Sequence, residues 1–308
     1  MSFYFKHPQC RLKRLWGQEI AAAYMRGLID MDNQRSSYQG TTSPLARFID
    51  GKQRRQTKPV SKARIRVIDL ETAGNGANDV CEIGWQDVVQ KDRGQWVVTE
   101  DRGSLLVNPG RPISPDTMAI HHILDEQVEA APYWKEIAST VLRPVGEIHA
   151  LAAHRAAFEQ RYCTPRLTGG LPWICTWKCA LRVWPELPRF SNQMLRYQRR
   201  PAGLVHEIGL PAHRAMPDAY VTAHHLRDLL NAASLEKLLA WSAEPGLLPR
   251  VPAGSDRGKS WDRLGTETLH EYLRDRDVDV RFSARTELER RGELETSAGK
   301  EPEQKTLL

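Results

Sequence analysis

The chain has 308 residues, 41% of them hydrophobic and 27% charged, with a formal net charge of +6. No apolar run reaches the roughly 18 residues of a membrane-crossing helix, and the first residues form no apolar core of signal-peptide length, so a cytoplasmic chain with no membrane contact is expected. Five cysteines in so long a chain argue against a disulfide framework and for reduced thiols.

The charge is unevenly spread. Residues 1–66 hold 14 Lys and Arg against 4 Asp and Glu, whereas the remainder is slightly acidic. The basic extension, residues 1–63, suits either an electrostatic handle for a polyanion or a docking segment for a protein partner. Within it Leu12, Leu15, Trp16, Ile20, Tyr24 and Leu28 fall near helical spacing, which predicts an amphipathic helix over 11–30. Residues 51–66 have no apolar period and read as a linker.

Three strands follow, at Ile65–Leu70, Val80–Val89 and Gln95–Val107, and Gly74-Asn75-Gly76 is expected to turn the first into the second. Ser114 and Pro115 open a short helix, Glu147–Ala153 reads as a buried strand, and Arg155–Tyr162 turns helical after it. Trp173, Trp177 and Trp184 offer faces on which bases could stack, worth about 1 to 3 kcal/mol per base. Trp177 and Trp184 lie seven apart on an apolar helix face, however, which is the spacing of core residues. Cys175 and Cys179 share a helix face with no matching ligand pair downstream, so packing outweighs zinc.

A long helix spans Asp218–Leu230, with Asp218 in its first turn. Beyond a Pro-rich stretch, Arg257, Gly258 and Lys259 form a basic turn before two helices, Trp261–Arg274 and Val280–Arg291. Gly292 should end the second, and the polar tail that follows reads as disordered. The boundaries drawn are thus 1–63, 64–232, 233–292 and 293–308. The fold class is α/β, a mixed sheet flanked by helices.

Four acids and one histidine carry the chemistry. In VIDLE the apolar residues mark a buried strand, and side chains two apart on a strand share a face, so Asp69 and Glu71 point together. Glu159 and Asp218 come from two further segments, and His213 precedes Asp218 by five residues. Hard divalent cations take oxygen ligands from a few carboxylates and keep several waters, and two of them roughly 3.5 to 4 Å apart can serve both oxygens of a phosphodiester displacement. A neutral imidazole near pKa 6.5 can take the proton of an attacking water.

With those segments in place the sequence resembles the DEDDh, DnaQ-like 3′–5′ exonucleases of the ribonuclease H-like superfamily, which include proofreading subunits and ribonuclease T. RPISPDTMAIHHI (111–123), WICTWKCALRVWP (173–185) and SNQML (191–195) are most similar to a bacterial exodeoxyribonuclease branch of that family. The resemblance implies a five-stranded ribonuclease H-like sheet and release of 5′-mononucleotides from DNA 3′ ends, single-stranded or frayed, in DNA repair or processing. It implies Asp69, Glu71, Glu159 and Asp218 as ligands of two Mg2+ or Mn2+ ions, His213 as general base, and the backbone amides of Thr72 and Ala73 as contacts to the terminal nucleotide.

Two positions depart from the family pattern. It usually has aspartate where Glu159 stands and asparagine where Arg155 stands. Glutamate reaches one methylene further, and Arg155 brings a fixed charge that can meet a substrate phosphate. Two other readings stay open: an RNA-trimming 3′ exonuclease of the ribonuclease T type, and a nucleic-acid-binding module with a degraded site.

Overall fold

The computed structural model describes residues 63–294. The predicted helix at 11–30 and nearly all of the predicted disordered tail lie outside the described residues.

Five strands form one sheet in the order β3-β2-β1-β4-β5. They are β1 (Arg64–Thr72), β2 (Val80–Gln90), β3 (Trp96–Leu106), β4 (Ala150–Ala153) and β5 (Trp173–Cys175). The first three pair antiparallel, and β4 and β5 extend the sheet in parallel on the other side of β1. This is the mixed five-stranded sheet expected. Helices α1 (Pro115–His121), α2 (Asp125–Val128) and α3 (Trp134–Leu142) separate β3 from β4, while α4 (Glu159–Tyr162) and α5 (Pro165–Thr168) separate β4 from β5. After β5 come α6 (Thr176–Val183), α7 (Asn192–Arg199), α8 (Ala215–Ala232), α9 (Leu235–Ala243), α10 (Thr266–Tyr272) and α11 (Val278–Arg291).

Strand alternation sorts the core. Ile65 and Val67 of β1 join a cluster with Ala219, Ala223, Leu226 and Leu229 of α8, whereas Ile68 and Leu70 join Trp134, Ala138 and Leu142 of α3. By the same alternation Asp69 and Glu71 lie on the α8 side. Helix α8 crosses β1, β2 and β3 and is buried nearly all round, which places its first turn beside the two acids.

Local signals set several element ends. The Ser114 hydroxyl accepts from the Thr117 amide and Pro115 begins α1, as its sequence predicts. Gly292 closes α11 in the left-handed conformation, where the absence of a Cβ removes the steric cost.

Other expectations shift. The β1–β2 connection is the longer Ala73–Asp79 loop, and none of Gly74, Asn75 and Gly76 takes the positive φ that a two-residue hairpin turn requires. Asp79 organises this loop by accepting the Gly76 amide at 2.6 Å, so a Cβ at Gly76 would stand 2.6 Å from that carboxylate. β4 begins at Ala150 rather than 147, and residues 155–158 form turns before α4 begins at Glu159. The predicted 261–274 helix breaks at Leu264 and Gly265 into a 3-10 turn and α10.

Helix α9 has no counterpart among the predicted elements. Its Leu238 is fully buried in the sheet–α8 core, so the packed body extends past residue 232. Val251, Trp261, Leu269, Val280 and Leu288 form a smaller core of their own under α10 and α11. The Gly246 and Leu248 amides tie the segment leading into it to Asp279 and Ser283 of α11.

Candidate active site

Asp69, Glu71 and Asp218 converge where β1 meets the start of α8, and each can offer an oxygen within 4.8 Å of the others. Asp218 is buried, and both of its carboxylate oxygens are engaged. Oδ1 accepts from Gln193 Nε2 at 2.7 Å and Asn192 Nδ2 at 3.3 Å, and Oδ2 accepts from the His213 amide at 2.6 Å. Thr222 of α8 donates its hydroxyl to Asn192 Oδ1 and so fixes which way that amide faces. A carboxylate oxygen has more than one acceptor direction, so these bonds aim Asp218 without exhausting it.

Glu159, at the start of α4, is outside the trio whose oxygens come within 4.8 Å of one another. It is buried, and its Oε2 has no hydrogen-bond partner. Burial pushes its carboxyl up to about 8, with the Glu71 charge adding to the rise. Glu71 is likewise raised to about 8, first by burial and then by Asp218 and Glu82, with Arg214 opposing. Asp69 is held well above the ordinary carboxylate range by burial and by Asp218, Glu71, Glu159 and Glu82 together.

Acids gathered with so little internal compensation are costly unless a cation neutralises them. The donor set is all oxygen and the buried Glu159 oxygen is orphaned, so the residues present fit a hard divalent ion. They do not fit a soft metal. Cys175 and Cys179 are free and buried, and the Cys179 thiol lies 3.6 Å from both Leu238 O and Ser242 Oγ.

His213 is exposed and takes a left-handed backbone, φ 60°, immediately before α8. That conformation turns its amide onto Asp218 while leaving the imidazole in solvent. Arg155, after β4, is also left-handed at φ 65° and exposed, and its guanidinium lies over the Trp177 ring. Trp177 is buried, Trp184 is covered by Arg199 and Trp173 packs in the core, so packing accounts for all three rings.

One expected contact fails on the geometry. The Ala73 amide already donates to Asp79 O at 2.6 Å within the β1–β2 loop, which leaves it no hydrogen for a nucleotide. Thr72 is buried beside Glu71, and its carbonyl lies 3.2 Å from His121 Nε2. The Ile123 amide donates to His121 Nδ1, so Nε2 carries the proton and donates to Thr72 O.

Gln193, Asn192, Glu82 and Arg214 take part in the site; SNQML marks the first two as part of the resemblance without giving them a role, and no motif singles out Glu82 or Arg214. Glu82 carries the most legible signal of the four, since an acid inside the apolar strand VCEIGW is costly without a partner. The partner is Arg214, one residue after His213.

Comparisons with known proteins identify an exonuclease domain in the chain. An exonuclease family model, RNase_T, matches residues 67–226. Exodeoxyribonuclease 10 of Escherichia coli (strain K12) is 34% identical over 198 residues, covering 64% of this chain and 83% of that protein. DNA polymerase III subunit epsilon of Treponema pallidum is 31% identical over 184 residues, 52% of this chain and 76% of its own length. Among solved structures, exonuclease X in complex with 5′ overhanging duplex DNA is 34% identical over 58% of this chain and 99% of that one, with a TM-score of 0.45.

Proposed function

The chain belongs to the RNase_T exonuclease family, and on that premise we propose that it removes nucleotides one at a time from DNA 3′ ends with Asp69, Glu71, Glu159 and Asp218 as its metal ligands. The enzyme is a 3′–5′ exodeoxyribonuclease. The observation that carries the site assignment is the convergence of Asp69, Glu71 and Asp218 within 4.8 Å, with the orphaned carboxylate oxygen of Glu159 supporting a fourth ligand.

Two Mg2+ or Mn2+ ions held there would supply positive charge to both the attacking and the leaving oxygen. The residues of the chain do the rest. Asp69 and Glu71, on one face of β1, share the cation charge, and Gln193 and the His213 amide hold Asp218 at its angle. His213, open to solvent, takes a proton from the attacking water as its oxygen bonds to phosphorus. The bond from phosphorus to the 3′-oxygen of the preceding nucleotide breaks in line, that oxygen takes a proton from solvent water, His213 later returns its own to solvent, and a 5′-mononucleotide leaves.

The Thr72 backbone lines the end of β1, and Arg155 supplies positive charge to a substrate phosphate from the turn after β4. The basic residues 1–63 add sequence-independent affinity for the same polyanion or dock a protein partner. A reducing compartment such as the cytoplasm suits the four buried free cysteines, and no described helix is long and apolar enough to cross a membrane.

Digestion of 3′-labelled DNA and of RNA of the same sequence, with Mg2+, with Mn2+ and with chelator, tests the reading. Metal-dependent mononucleotide release from DNA is expected. Release from RNA alone would move the assignment to RNA trimming, and binding without cleavage under both metals would reduce the protein to a binding module.

A further inference from the structure

Strand β2 contributes no ligand to the site, yet it carries a buried acid directly across from one. Glu82 pairs in register with Glu71 of β1 and is only 2% exposed. Such a group must be compensated. Its Oε2 and Oε1 accept from Arg214 Nε and Nη2 at 2.9 and 2.8 Å, a two-point fork, and Oε2 also accepts from the Ala215 amide at 3.0 Å. Ala215 is the first residue of α8, so Glu82 grips both the residue after His213 and an N-terminal amide of the helix that carries Asp218.

Two residues further along β2, Gly84 presses the same spot. A Cβ there would come within 2.1 Å of the Ala215 carbonyl carbon, so only glycine lets the helix start lie this close to the sheet. The left-handed His213 stands directly before these anchors, and its amide donates to Asp218 Oδ2 five residues on. Glu82 holds the chain on the C-terminal side of that residue through Arg214 and the Ala215 amide.

We infer that Glu82 is a positioning residue of the nuclease site: through Arg214 and the Ala215 amide it sets the turn that presents His213 and aims Asp218 at the cation site. This rests on the reading of the site given above. The Glu82 carboxylate is taken up by Arg214 and the Ala215 amide.

Arg214→Lys keeps the charge and loses the fork; Glu82→Gln keeps the shape and loses the charge. The Arg214 side chain is 34% exposed, so its lysine variant carries the test if the glutamine variant does not fold. Measured well below each variant's unfolding temperature, kcat should fall about 10- to 100-fold with KM unchanged, the size of effect typical of groups that orient metal ligands. Mn2+ affinity should fall with it. In the metal-free protein the His213 amide should exchange its hydrogen faster than in the wild type. The double variant should lose no more than the worse single one, because the two residues act as one unit.

Unchanged kcat, Mn2+ affinity and His213 exchange in Arg214→Lys would overturn the inference, as would losses that multiply in the double variant or that appear only in KM. A wild-type protein without nuclease activity would sink the proposed function and not this inference, since metal affinity and amide exchange are read without turnover.

Discussion

The guanidinium carbon of Arg155 lies 4.1 Å from the centroid of the Trp177 ring, and it does so from a backbone held at φ 65°. Left-handed backbone is costly for most side chains and mild for asparagine, the residue the family pattern has at this position. The stacked cation offsets part of that cost, by roughly 0.5 to 1 kcal/mol at an exposed site. Urea unfolding of Arg155→Asn should therefore stay within about 1 kcal/mol of wild type, because relief of strain and removal of the stacked cation oppose. Arg155→Val, β-branched and unstacked, should be destabilised by about 2 to 3 kcal/mol. Equal stability of the two variants would show that the backbone here is unstrained.

His213→Ala should reduce kcat by about 10^2- to 10^4-fold, the range for removing a general base, without loosening DNA binding. Asp69→Asn should abolish nucleotide release and, in chelator, raise the unfolding temperature most at alkaline pH, because asparagine stays neutral where the Asp69 carboxyl must ionise beside Asp218, Glu71 and Glu159. Turnover surviving in both variants would sink the site assignment.

Glu71 and Glu159 both titrate at about 8 in the folded, metal-free protein, against 4.5 for a free glutamate. A group whose folded value is raised contributes stability that is complete below the unfolded value and is lost as pH rises through the folded one. Metal-free protein should thus become less stable between about pH 5 and 8 through these groups, and saturating Mn2+ should remove most of that slope. At pH 7 metal binding should release protons, visible by calorimetry in buffers of different ionisation enthalpy. A heat independent of the buffer would contradict the raised values.

Glu159, the fourth ligand proposed, departs from the family pattern. Glu159→Gln should weaken Mn2+ binding by about tenfold or more, on the scale seen for metal-orienting groups, while stabilising the metal-free fold increasingly as pH rises towards 8, because glutamine never has to ionise in that buried place. Unaltered Mn2+ affinity would place this residue outside the ligand set and leave Asp69, Glu71 and Asp218 to hold the ions.

Deleting residues 1–60 removes 11 Lys and Arg along with 4 Asp and Glu. If the extension neutralises phosphates, the slope of log affinity against log salt should flatten by about 0.7 to 0.9 for every phosphate it had neutralised. An unchanged slope would assign the extension to a protein partner instead.

Periodicity and end signals alone determined which segments became β1, β2, β3 and α8, and these patterns put Asp69 and Glu71 on one strand face and Asp218 in a first helical turn. Those features rest on neighbours a few residues apart, which a sequence displays directly. The tertiary structure decided what aims them. Gln193 reaches Asp218 across 25 residues and Arg214 reaches Glu82 across 132. No local pattern registers either pairing. The same holds for the left-handed backbones of Arg155 and His213 and for the burial of α9, because each is stable only once the sheet has closed against its helices. The identity of the acids could be read from the chain, whereas their angles, their shared burial and the raised protonation that follows belong to the folded packing.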